Sequence, residues 1–117
     1  LALVYAHEVG HHYGGCPRYP ESWASCEGQA DYWGAKTSMR RVYPEDEYMD
    51  VMFPAIDQLH DLFSKGLLIT LSPEAQKAYH ANLCSHPPAD CRRDTYLAGV
   101  DFAPKPSCAG SPSGDCD

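Results

Sequence analysis

The chain has 117 residues, enough for one domain with one modest core. Its 9 basic and 16 acidic residues, a net charge of −7, argue against nucleic acid or an anionic membrane surface as a partner. No apolar run approaches the about 18 residues a membrane-spanning helix needs; Gly66-Leu67-Leu68-Ile69-Thr70-Leu71 is far shorter, so no membrane span is expected. No signal peptide is visible.

The first helix is expected over about residues 1–14, with Leu1, Leu3, Val4 and Ala6 apolar, no proline before Pro17, and a stop at Gly14-Gly15. It contains His7-Glu8-Val9-Gly10-His11, a His-Glu-x-x-His pattern. Four residues turn a helix by about 400°, so His7 and His11 share a face and can share one Zn²⁺ at roughly 2.0–2.1 Å each. Glu8 lies about 100° around from His7, where it can deprotonate a zinc-bound water. The metal lowers that water's pKa to about 7. The plainer alternative is a buried amphipathic helix whose histidines are merely hydrogen-bonded. His12 points about 100° away from the metal face and is not expected to be a ligand.

Residues 15–21 read as a Pro-rich loop, and a second helix is expected over about 22–42. Trp23, Ala30, Trp33 and Ala35 can pack inward, while Lys36, Arg40 and Arg41 suit the negative end of the dipole. Glu27 and Asp31 are four apart and share a face. A catalytic zinc needs three protein ligands and an open position, and Glu27 can be the third. Asp31 can accept the N–H of His7 or His11 and orient it. The alternative is two ordinary solvated acids on a surface helix.

Pro44 opens a third helix over about 44–65, with Glu45, Asp46 and Glu47 in its first turn. Met49, Met52, Phe53, Ile56, Leu59, Leu62 and Phe63 follow helical spacing and read as core, and Pro54 should kink the helix. His60, beside Asp57 and Asp61, reads as a surface residue. Gly66 ends the helix, and Leu67–Leu71 is a short strand or a buried connector. Ser72-Pro73-Glu74 opens a fourth helix to about Cys84, whose Tyr79 and His80 either reach the site or simply pack and face solvent. A short helix over about 88–98 carries Arg92 and Tyr96. Composition then shifts to Pro, Ser and Gly, so residues 1–99 read as a catalytic segment and 100–117 as an irregular tail.

Six cysteines in so short a chain point to disulfides and an oxidising, extracytoplasmic compartment, periplasmic or secreted. Cys16, Cys26, Cys84, Cys91, Cys108 and Cys116 allow about fifteen connectivities. The local pairing Cys16–Cys26, Cys84–Cys91 and Cys108–Cys116 is preferred; its first bridge would tie the loop between the two zinc helices. A second, structural zinc held by thiolates is the alternative, but no Cys-x-x-Cys spacing supports it.

The sequence His-Glu-x-x-His followed by Glu27-x-x-x-Asp31 on a second helix resembles the gluzincins, zinc peptidases with two His and one Glu as ligands. Within them, Ala6-His7-Glu8-Val9-Gly10-His11 and Glu27-Gly28-Gln29-Ala30-Asp31 are similar to the M48 family, which usually reads Ala-His-Glu-Leu-Gly-His and Glu-x-x-Ala-Asp. The gap between His11 and Glu27 is closer to that of other gluzincins. A third similarity is His86-Pro87, with Arg92 six residues beyond His86. The resemblance implies that His86 and Arg92 sit near the zinc, assisting substrate binding or stabilising the oxyanion; independently of it, Tyr96 is a further candidate to hold the oxyanion.

The expected molecule is therefore mainly α: a helical, zincin-like catalytic segment with few or no strands, stapled by disulfides. Its expected activity is zinc-dependent hydrolysis of peptide bonds in a peptide or protein substrate. An inactive zinc-binding or disulfide-rich binding module derived from a metallopeptidase is the alternative. A chain that begins inside a catalytic helix reads as a piece of a longer precursor, whose N-terminal part is an expected partner.

Overall fold

A computed structural model of the protein describes residues 1–65 and 84–114. It is mainly helical, and among the described residues no strand forms; one isolated antiparallel bridge joins Arg18 and Ser25. Helix α1 (Ala2–Tyr13) buries Leu3, Ala6, His7 and Gly10, a single face. Leu1 and Tyr5 are exposed, so the helix is amphipathic rather than buried all round.

Helix α2 (Glu27–Trp33) continues through a π-helical turn (Gly34–Ser38) into α3 (Met39–Val42). It starts at Glu27, later than the expected residue 22, because the preceding backbone is already committed. Tyr19 N donates to Ala24 O at 2.9 Å, Ser25 N to His11 O at 3.0 Å and Cys26 N to Pro17 O at 3.0 Å. Trp23, expected to pack inward, is 64 % exposed and stacks on His12, with ring centroids 4.6 Å apart.

Helices α1 and α2 approach to backbone contact at Gly10. A Cβ there would lie 2.6 Å from Ala30 O and 2.9 Å from Ala30 Cα, so only glycine permits this spacing. The close approach sets the first two turns of α2 beside the histidine face of α1.

Helix α4 (Glu45–Ser64) has Glu45, Asp46 and Glu47 in its first turn, where carboxylates suit the dipole, and it runs on through Pro54. Its buried stripe is Tyr48, Met52, Ile56 and Leu59; Met49 and Phe53, expected in the core, lie a helical step to one side and are exposed. Helix α5 (Ala89–Asp101) extends beyond the expected residue 98. A Cβ at Gly99 would sit 3.0 Å from both Ala35 Cβ and Lys36 N, so the glycine lets α5 pack on the π-helical turn. Leu3, Ala6, Ala35, Met39, Tyr48, Met52, Ile56, Leu59, Tyr96 and Val100 form the core between the helices.

The cysteine pairing is not local. Cys26 bonds Cys84 and Cys91 bonds Cys108, which overturns the expected Cys16–Cys26, Cys84–Cys91 and Cys108–Cys116 bridges; Cys16 is disulfide-bonded as well. The long-range pattern follows from packing: α5 lies against α2, so the segments flanking them are neighbours in space though distant in sequence. Closing a 58-residue separation should stabilise the fold by restricting the unfolded chain, typically by about 2–4 kcal/mol. The expectations for Leu67–Leu71, the helix from Ser72, Tyr79, His80 and Cys116 lie outside the described residues. No helix among the described residues is long and apolar enough to cross a membrane.

Candidate metal centre

Three side chains expected to bind a metal meet at one point. His7 and His11, one turn apart on α1, face Glu27 at the start of α2; one ligand atom from each lies within 4.8 Å of the others. Glu27 Oε1 is 3.0 Å from His7 Nε2 and 3.1 Å from His11 Nε2. His86 joins them, its Nε2 3.1 Å from the same oxygen. The Cys26–Cys84 bridge, together with the Glu27 N to Cys84 O bond of 2.9 Å, brings the His86 segment against the start of α2.

The opposite edges of His7 and His11 are also engaged. His7 Nδ1 donates to Asp31 Oδ1 at 2.7 Å, and His11 Nδ1 donates to the Ser25 carbonyl at 2.8 Å. An acceptor on Nδ1 leaves Nε2 as the nitrogen that can give its lone pair to an ion once it has lost its proton. Two oriented imidazoles and one carboxylate, mostly buried and facing one another, are a donor set that could hold a metal ion.

Asp31 is fully buried yet ionised. It accepts two bonds from Arg92, Nε to Oδ2 and Nη2 to Oδ1, each 2.9 Å, and a third from the Tyr96 hydroxyl at 3.1 Å. Burial pushes its pKa up, but the Arg92 charge and the His7 bond outweigh that and hold it at about 2. Arg92, expected near the zinc, is therefore linked to the His7-His11-Glu27 cluster through Asp31 and His7. Its third nitrogen, Nη1, is buried without a hydrogen-bond partner, and its side chain lines a cleft of about 240 Å³. Glu8, His7, His86 and Tyr96 line the same cleft, with Val4 and Phe63 as apolar walls. Glu8 Oε1 lies 3.9 Å from His7 Nε2, and its side chain is 65 % exposed.

Tyr19 was not singled out by the sequence. Its hydroxyl donates to Glu27 Oε2 at 2.6 Å. Burial, then the Glu27 bond, raises the Tyr19 pKa well above that of a free phenol, so it stays a donor. A tyrosine in a Pro-bounded loop carries no spacing signal, and only the fold could find it. His12 points away onto Trp23, as expected for a residue off the metal face. His60 lies apart, bonded to Asp90 Oδ1 at 2.7 Å.

Without metal the cluster holds protons. Burial lowers the His7 pKa, but the bonds to Asp31 and Glu27 more than reverse this and raise it to about 9. His11 is raised too, chiefly by its bond to Glu27, against the opposing effect of burial. Burial works to raise the Glu27 pKa, but the bonds from His11, His7, His86 and Tyr19 hold it below the usual carboxylate range. The unfolded chain loses the His7 proton near pH 6.5 and the folded chain near 9, so the folded state binds more protons between them. Stability of the metal-free protein from this group is complete below 6.5 and should decline as pH rises toward 9. Metal binding should release protons across the same window. Urea midpoints after chelation, with calorimetry in buffers of different ionisation enthalpy, check both; midpoints that rise with pH would refute the assignment.

Comparison of the chain with protein-family models, with curated proteins and with solved structures returned no match.

Proposed function

We propose that this chain is a zinc-dependent metallopeptidase of gluzincin type, with His7, His11 and Glu27 holding Zn²⁺ and Glu8 as general base. The observation that supports it is the convergence of three ligand atoms within 4.8 Å, with the Glu8 carboxylate beside them on the cleft. Bound there, zinc would polarise the scissile carbonyl and lower the pKa of an attacking water to about 7. Glu8 takes the proton of that water and returns it to the leaving amine. Its exposure lets it reach substrate. Asp31 holds the His7 ring in place, with Arg92 and Tyr96 in turn holding Asp31. Val4 and Phe63 offer an apolar wall to a substrate side chain, and His86 offers a hydrogen-bonding edge. The disulfides suit work outside the cytoplasm, in a periplasmic or secreted setting.

One observation favours a second reading. His86 Nε2 lies as near to Glu27 Oε1 as His7 and His11 do. As a fourth ligand it would close the site, leaving a zinc-stapled binding module without hydrolysis. The test is to strip the protein with a chelator, restore one equivalent of zinc, and follow cleavage of a peptide library at each stage. Cleavage should vanish with the metal and return with it. Zinc bound at full stoichiometry without cleavage, and lost in His86→Ala, would establish the closed site instead.

A further inference from the structure

Glu27 presents its two carboxylate oxygens to different neighbours. Oε1 faces Nε2 of His7, His11 and His86 at 3.0, 3.1 and 3.1 Å, whereas Oε2 faces the Tyr19 hydroxyl at 2.6 Å. A carboxylate that bound an ion through both oxygens would fill two coordination positions, and with two imidazoles and a water it would make the ion five-coordinate. Bound through one oxygen, it leaves the open position a catalytic site requires. We infer that Tyr19 is a positioning residue that restricts Glu27 to coordination through Oε1 and so keeps the ion four-coordinate, with two imidazoles, one carboxylate oxygen and a water. The inference rests on the metal site proposed above.

The Tyr19 bond lies in the short range of hydroxyl-to-carboxylate bonds. Its loop is braced to hold it there. Tyr19 N donates to Ala24 O at 2.9 Å, Ser22 N to Tyr19 O at 3.1 Å, and Arg18 bridges to Ser25. The Ser25 carbonyl of the same loop accepts from His11 Nδ1 at 2.8 Å. One loop thus fixes the orientation of two ligands: His11 through its outer nitrogen, and Glu27 through its outer oxygen. A phenylalanine at position 19 would keep the ring and free Oε2 to turn onto the ion.

The test is the visible absorption of the Co²⁺-loaded protein, which is intense for four-coordinate and weak for five-coordinate cobalt. Wild type should take up one Co²⁺ per chain and absorb strongly. Tyr19→Phe should bind the same amount, melt at a similar temperature and absorb several-fold more weakly. An unchanged spectrum at full occupancy overturns the role of Tyr19 and leaves the metal site standing. A variant that melts normally but binds no Co²⁺ also overturns it, since Tyr19 would then govern affinity rather than coordination mode. A wild type that takes up no Co²⁺ overturns the metal site itself and this inference with it. A crystal structure of the zinc-loaded wild type checks the point without any variant. Oε2 on Tyr19 supports the inference, and both oxygens at bonding distance from the ion refute it.

Discussion

Replacing Asp31 with alanine should destabilise the protein by about 3–5 kcal/mol, the usual cost of removing one partner of a buried ion pair. Asp31 is wholly buried and is bonded by Arg92 twice, by His7 and by Tyr96. Without it the Arg92 guanidinium, only 3 % exposed and already carrying one unpartnered nitrogen, would lose the carboxylate it is bonded to. The same substitution frees the His7 ring, so metal affinity should fall by about 10–100-fold. Urea denaturation of the metal-free protein measures the first effect and a competitive zinc titration the second. Asp31→Asn separates them, because its amide oxygen can still accept from His7 while the charge opposite Arg92 is gone. A pH series adds a signature. The Asp31 pKa is depressed to about 2, so its stabilisation is present above 3.8 and is lost as pH falls toward 2. Asp31→Ala should therefore show a flatter acid limb than wild type; a loss of under about 1 kcal/mol with an unchanged acid limb would contradict this role.

The second large effect falls on activity alone. Glu8→Gln should lower peptide hydrolysis by about 10²–10⁴-fold, the range for loss of a general acid–base group. Bound metal and folding stability should stay as in wild type. Glu8 is no part of the donor set of His7, His11 and Glu27, and its exposed side chain packs against little, so stability should move by less than about 0.5 kcal/mol. The glutamine keeps size and polarity but cannot take the proton. Kinetics on a cleaved library peptide, with metal analysis of the same sample, gives both numbers. Full activity in Glu8→Gln would remove Glu8 as the base.

The parts of the site that the sequence makes legible are those set by helix periodicity. His7 and His11 share a face because they are four apart on a helix, and Glu27 and Asp31 share one for the same reason. Close packing at Gly10 then brings the two faces together. Periodicity says nothing about loops. Tyr19 and the Ser25 carbonyl act from a loop whose shape depends on bonds to α1 and on its own bridge, so neither carries a sequence signature. The start of α2 is illegible for the same reason, since the backbone N–H groups of Tyr19, Ser22, Ser25 and Cys26 are bonded outside any helix. Cysteine pairing was illegible because it records which segments become neighbours after the helices pack. Cys84 is far from Cys26 in sequence and beside it in space. In α4 the apolar pattern was wide enough to support more than one buried stripe, and the contact with α1 and α5 chose Tyr48, Met52, Ile56 and Leu59 over Met49 and Phe53.

The most direct measurement is zinc stoichiometry by equilibrium dialysis, on wild type and on Glu27→Ala side by side. Wild type should hold one zinc per chain, and Glu27→Ala should lose most of it, because two histidines without the carboxylate leave the ion with too few ligands. Equal zinc in both proteins, or none in wild type, would contradict a metal centre built on His7, His11 and Glu27.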